Sequence, residues 1–178
     1  MKNIFAFIFI LLACGCAPTV SHEATSGNAQ FRIEGTTLQR QIDGGGWENL
    51  QEATAVSADQ GKVYMISAGN VYESTDLGDT WQAIFSPYDP ATDVEAVGGY
   101  LWVSVASWGT SSGINRRDSN GNWENLLWNS CYAVDVNPRH PDKRAKALVK
   151  EGGYDRYWVY APLFPPYLWV KLWPAFTP

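Results

Sequence analysis

The sequence predicts an all-β fold: β-propeller blades of four antiparallel strands, about three of them recognisable, in a ring that is incomplete. Three observations carry that expectation. Nine Trp, nine Tyr and sixteen Gly are spread through short segments, which suits many strands and turns better than a helical bundle. Trp47-Glu-Asn-Leu50 returns as Trp123-Glu-Asn-Leu126, with Trp81-Gln-Ala-Ile84 between them, so three tryptophans stand 34 and 42 residues apart. One propeller blade takes roughly 40 residues. Finally, each tryptophan follows an acidic residue and a tight Gly/Asn loop: Asp43 before Trp47, Asp76 before Trp81 and Asp118 before Trp123.

Taken in order, the chain opens on an export signal. Lys2 precedes ten apolar residues, Ile4 to Ala13, the length of a signal-peptide core and too short to span a bilayer. Leu11-Leu12-Ala13-Cys14 resembles the lipobox of bacterial lipoproteins. That resemblance implies that residues 1–13 are removed, that Cys14 is lipidated, and that the protein is tethered to a membrane of the bacterial cell envelope. An ordinary signal peptide cut near Ala17 is the alternative. Residues 14–30 have a polar, small-residue composition and are expected to form a flexible tether.

Residues 31–143 hold the expected blades. Phe31 to Arg40 is expected as an edge strand with outward polar residues. Ala53 to Asp59, Lys62 to Ser67 and Asn70 to Ser74 alternate aromatic and β-branched residues between Gly or Asp breaks, as strands do. Val94 to Gly98 and Tyr100 to Val105 repeat the first two. Each unit therefore reads as three strands, an acidic loop and a Trp strand, four strands in all.

Ser74-Thr-Asp76-Leu-Gly78-Asp-Thr80-Trp81 resembles the Asp-box, Ser-x-Asp-x-Gly-x-Thr-Trp, also called the bacterial neuraminidase repeat, at every specified position. The loop at Asp43 and Trp47 is one residue shorter. The loop at Asp118 and Trp123 has Arg116 for Ser, Asn120 for Gly and Asn122 for Thr. The physical reading is a folding staple: Gly78 supplies a backbone conformation closed to other residues, Asp76 accepts loop N–H groups that no strand satisfies, and Trp81 covers the loop. In the families that carry it, the resemblance implies, this motif sits on the outer rim, remote from the ligand channel.

The formal charge of −5 comes with Lys and Arg scattered until the last forty residues, so no basic stripe is available for a phosphate backbone and nucleic acid is not an expected partner. Two histidines far apart in sequence offer no zinc set, and no metal or cofactor is expected. Cys131 is expected free and packed. Asp-box propellers include sialidases, xyloglucan-cleaving glucanases and non-catalytic receptors, and the fold does not choose among them. Phe31-Arg32-Ile33-Glu34 resembles the motif carrying the first sialidase arginine but has Glu34 in place of proline, and Arg116 and Arg117 lie in a loop, which leaves too few arginines for a carboxylate clamp. Asp59, Asp93, Glu95 and Asp135 lie on or beside inner strands without nominating a catalytic pair. Trp102 and Trp108 are candidates for stacking on sugar rings, with inter-blade core as the favoured reading of such residues.

Tyr132 to Lys143 resembles the start of another blade, but periodicity is lost at about residue 144. Residues 144–178 read as a divergent last blade, a membrane-interface segment or an out-of-frame remnant, the last being favoured. An open set of blades invites self-association through its edges. The function expected from the sequence is therefore a non-catalytic module binding a protein or glycan at the cell envelope, with a relic of an exo-glycosidase of sialidase or xyloglucanase type as the alternative.

Overall fold

A computed structural model describes residues 22–106, 112–127, 130–136 and 138–139, together with the backbone of 145–151, 154–161 and 168–172. Among these residues sixteen strands form four four-stranded antiparallel sheets, each with its strands in sequence order. The first blade holds β1 (Glu23–Ser26), β2 (Ala29–Glu34), β3 (Thr37–Ile42) and β4 (Glu48–Glu52). The second holds β5 (Ala55–Asp59), β6 (Lys62–Ser67), β7 (Asn70–Ser74) and β8 (Gln82–Phe85). The third holds β9 (Ala91–Val97), β10 (Tyr100–Val105), β11 (Gly113–Arg117) and β12 (Trp123–Leu127). The fourth holds β13 (Cys131–Val136), β14 (Ala145–Glu151), β15 (Tyr154–Ala161) and β16 (Leu168–Leu172). The chain is all-β, with the sheets arranged as propeller blades.

Successive sheets face one another across three apolar layers. Phe31 and Leu38 of the first blade pack on Val56, Val63 and Met65 of the second. Tyr64, Ile66 and Val71 meet Val94, Leu101 and Val103. Trp102 and Ile114 meet Cys131, Val134 and Val136. The strand sequences follow from these layers. Val63 to Ile66 and Leu101 to Val105 are buried without a break because their sheets are covered on both faces. In β2 buried Ala29 and Phe31 flank exposed Gln30, and in β3 buried Leu38 and Arg40 alternate with half-buried Gln39 and Gln41. Only one face of the first blade is covered by apolar side chains. Its other face is a polar network in which Arg32 Nε donates to Gln39 Oε1 at 2.8 Å and Gln39 Nε2 donates to Asn49 Oδ1 at 2.8 Å.

Three features differ from the expectation. Where the sequence predicts about three blades and loses its periodicity at about residue 144, β14, β15 and β16 pair with β13 into a fourth sheet. Residues 23–30, expected in the tether, form β1 and the start of β2, and Ile33 N–H donates to the His22 carbonyl at 2.9 Å. Their small polar side chains read as linker, yet β1 pairs from Glu23 against Arg32 to Ser26 against Ala29, and Ala24 packs on the core beneath. The expected single strand from Phe31 to Arg40 is two strands, because Gly35 at φ 64° turns the chain between Glu34 and Thr37. Residues 1–21, which include the expected signal segment and Cys14, lie outside the described residues.

Candidate functional site

The loop after β7 is built from the residues that the sequence singles out. Ser74 Oγ donates to Asp76 Oδ1 at 2.7 Å and accepts from Gly78 N–H at 2.8 Å. Asp76 Oδ1 also accepts from Thr80 N–H at 2.9 Å, and Oδ2 accepts from Thr80 Oγ1 at 2.5 Å. The Thr80 hydroxyl, the Thr80 amide and the Ser74 hydroxyl together hold the Asp76 carboxyl down to about 2. Leu77 and Gly78 both have left-handed backbones, at φ 57° and 93°. A Cβ on Gly78 would stand 3.2–3.3 Å from Leu50, Phe31 and Trp81, so the glycine is required by space as well as by φ. Trp81 packs against the first apolar layer.

The loop after β11 reproduces this arrangement with different side chains. Asp118 Oδ1 accepts from the amides of Asn120 and Asn122 at 2.9 and 2.8 Å, and Oδ2 accepts from Asn122 Nδ2 at 3.0 Å. Asn122 thus does for Asp118 what Thr80 does for Asp76, and the Asn122 side chain is the main cause of the lowered Asp118 pKa. Trp123 stacks on Phe85 of the second blade, centroids 4.4 Å apart. At the loop after β3, the short spacing changes the outcome. The Asp43 carboxylate accepts from Asn28 Nδ2 at 2.8 Å, across the sheet. Trp47 stays 36% exposed with the Arg32 guanidinium 4.0 Å above its ring. The first of the three loops therefore has the sequence pattern without the carboxylate cap.

Three of the four carboxylates that the sequence left without a role, Asp59, Asp93 and Glu95, join blades. Asp59 Oδ2 accepts from Gly99 N–H at 2.7 Å. Asp93, fully buried, accepts from Val134 N–H at 2.9 Å through Oδ2 and from its neighbour Val94 N–H at 2.9 Å through Oδ1. Glu95 Oε2 accepts from Val136 N–H at 2.7 Å. Ser57 Oγ plays the same part for Ala96 N–H at 2.9 Å. The bonds to Gly99, Val134, Val136 and Ala96 each cross from one blade to the next over 39 to 41 residues. Burial is the main force on the Glu95 carboxyl and pushes it up to about 8; the Val136 amide opposes this, while Asp135 and Asp93 add to it.

Basic side chains pair both within blades and across their junctions. Arg40 reaches from the first blade to the Leu77 carbonyl and Asp79 of the second. Arg117 of the third blade and Lys62 of the second both pair with Glu73. Arg116 pairs with Glu124 and lies over Tyr100 and Trp102. A groove of about 210 Å³ runs between the second and third blades, lined by Lys62, Tyr64, Tyr100 and Arg117 and by the Asp118 loop. A wider hollow of about 500 Å³ lies on the first blade beside Thr25, Gln30, Arg32 and Trp47.

The structure corrects the sugar-stacking expectation for Trp102. This side chain is fully buried in the layer between the third and fourth blades, so no ring can stack on it. Its place on β10, a strand covered on both faces, explains the burial. Trp108, the second candidate, lies outside the described residues. Cys131 is free and buried, and burial raises its thiol pKa.

No protein-family model matches the chain, and no curated protein matches it. Solved structures match in fold. An ancestral GH74 enzyme superposes with a TM-score of 0.63 and 16% identity over 88% of this chain and 27% of that one. The N-terminal domain of Nup159 gives 0.57 and 10% identity over 88% and 44%. A chain of the S. cerevisiae Dbp5 complex with Nup159, Gle1, IP6 and ADP gives 0.56 and 10% over 86% and 43%. The chain spans less than half the length of each of these structures. At such identities the likeness is one of fold, and the neighbours are propeller proteins.

Proposed function

We propose that the chain is an Asp-box β-propeller module that is exported, anchored by a lipid on Cys14, and binds a protein or glycan at the cell envelope without catalysing a reaction. The observation that carries the non-catalytic part is the engagement of Asp59, Asp93 and Glu95 with backbone N–H groups of the following blade. A glycosidase sets two carboxyl groups across a cleft, facing the scissile bond. Here these side chains serve the joints of the scaffold. The loop carboxylates Asp76 and Asp118 are occupied within their own turns. The exposed Trp47 and the polar hollow around it give a surface on which an extended partner can lie. Export and lipidation rest on the apolar run and the Leu11 to Cys14 motif.

A screen of the purified protein against immobilised glycans and envelope extracts, run beside hydrolysis assays on aryl glycosides and xyloglucan, tests this reading. Binding without turnover is the expected result. Turnover abolished by Glu95→Gln would overturn it. One observation favours the second reading, a relic glycosidase: a carboxyl that keeps its proton up to about 8 is in the state a general acid needs. For the anchor, Cys14→Ser is expected to abolish fatty-acid labelling and release the protein from membranes, and unchanged labelling would exclude Cys14 as the acceptor.

A further inference from the structure

The bonds that join blade to blade follow one rule with different chemistry at successive junctions. On β9 the amide of Ala96 is bonded to Ser57 of the preceding blade, and the residue just before it, Glu95, bonds forward to Val136. At the second junction the mid-strand acceptor is thus a hydroxyl, which carries no charge at any ordinary pH. At the third junction the corresponding acceptor is a carboxyl, and Asp93, two residues earlier on the same strand, makes a parallel bond to Val134. Asp135 of β13 adds to the negative surroundings of Glu95. Three carboxyl groups from two adjacent inner strands therefore gather at one junction, two of them bonded across it.

We infer that the junction between the third and fourth blades is a proton-operated latch, closed while the Glu95 carboxyl keeps its proton and loosened when that proton is lost. The side chain is half-buried and reaches from β9 to β13, where an added charge loses part of its water. Among the described residues, Asp93 on its own strand and Asp135 on β13 both act to hold the proton on it. The neighbouring strand β10 presents Tyr100 and Trp102 to this layer, and Arg116 of β11, paired with Glu124, lies over both rings. The Val136 amide favours the ionised form but is outweighed by burial, so the carboxyl is held up to about 8.

The sign follows from linkage. An opened junction returns Glu95 to water and to the ordinary carboxyl range, about 4.3. Below that range both states are protonated and the latch has its full strength. Between it and about 8 the opened state gives up its proton first, so opening grows easier by up to about tenfold per pH unit and then levels off. This behaviour is independent of what the module binds.

Amide hydrogen exchange of the full chain at Val134 and Val136, corrected for the intrinsic pH dependence of exchange, reads the latch directly. Protection is expected to fall with rising pH and to level above about 8. In Glu95→Gln, which keeps the acceptor oxygen and cannot ionise, the fall is expected to vanish. The Ala96 amide, bonded to Ser57, serves as a control within the same molecule. A flat profile at Val136, the same slope in Glu95→Gln, or an equal slope at Ala96 would each overturn the latch. The last comparison needs no variant and therefore stands even if Glu95→Gln fails to fold.

Discussion

The Arg40 guanidinium, on the third strand of the first blade, donates to the backbone carbonyl of Leu77 in the second blade at 2.7 Å, across 37 residues of sequence. The same Nη1 meets Asp79 at 2.6 Å, and Nη2 meets Glu48 at 2.9 Å. Leu77 has φ 57°, a conformation that residues with a side chain adopt only at a cost. Arg40 therefore holds a turn in its neighbour while pairing with its own blade.

Replacing Arg40 tests this strut. Its side chain is only 9% exposed, whereas Glu48 and Asp79 are 61% and 67% exposed. Its loss leaves a carbonyl short of a donor and removes packing, but both carboxylates can return to water. Arg40→Ala is expected to cost on the order of 2 kcal/mol, the range for an unmade bond to a charged group. Arg40→Lys should recover only part of this, because one ammonium cannot span both sides as the planar fork does. Urea unfolding curves with a common slope would measure both losses, and an unchanged midpoint for Arg40→Ala would count against the strut.

The Asp76 loop sets a pH dependence of opposite sign to that of Glu95. With its carboxyl held down to about 2 by Thr80 and Ser74, Asp76 stabilises the fold above the ordinary carboxylate range. That contribution is lost as pH falls from about 4 towards the folded value. Solvent screens this exposed group, so the effect is expected to be a small shift of the acid-unfolding midpoint. Asp76→Asn should remove it, and the stability gap between wild type and Asp76→Asn, read from urea unfolding at a series of pH values, is expected to close as pH falls from about 4 towards about 2.

Two glycines separate strain from space. Gly78 has φ 93°, and an added Cβ would crowd Leu50, Phe31 and Trp81 at 3.2–3.3 Å. Gly121 has φ 88°, but an added Cβ would meet only the far end of Arg117 at 3.4 Å. Both alanine variants are therefore strained in backbone, by about 1 to 2 kcal/mol, and only Gly78→Ala also disturbs a packed layer. The expected order of thermal stability is wild type, then Gly121→Ala, then Gly78→Ala. The reverse order of the two variants would mean that the packing around Gly78 yields freely.

The blades were legible in the sequence because a hairpin needs turn residues at fixed places and a doubly covered strand needs an unbroken apolar run. Lys62–Ser67, Asn70–Ser74 and Tyr100–Val105 begin and end where their patterns do. Sequence alone could not read what depends on partners about 40 residues away. Asp93 and Glu95 look the same on paper whether they face a ligand or the Val134 and Val136 amides. Arg40 sits in an alternating strand where a polar residue is expected to be solvated, and its burial follows from a loop on another blade. The acidic loop of the first blade misled for a different reason: with one residue fewer before Trp47, Asp43 takes a bond from Asn28 instead of capping its turn.

Trp102 gives the clearest contrast between a ligand platform and a structural side chain. It is fully buried between Ile114 and the β13 residues Val134 and Val136, with Arg116 5.2 Å from its ring centroid. Removing the indole would leave a cavity in the layer that joins the third and fourth blades, and large aromatic truncations of this kind cost about 3 to 5 kcal/mol. Much of a marginal domain's stability would go with it. Trp102→Ala is therefore expected to unfold at much lower denaturant, with the early loss of protection concentrated at Val134 and Val136 in hydrogen exchange. Trp102→Phe, which keeps an aromatic ring in the layer, should retain most of the stability. If a ligand is found, its affinity for the folded fraction of Trp102→Phe should equal that of wild type, since a side chain with no exposed surface cannot touch it. A stable Trp102→Ala with lost ligand binding would place the indole in a binding site instead.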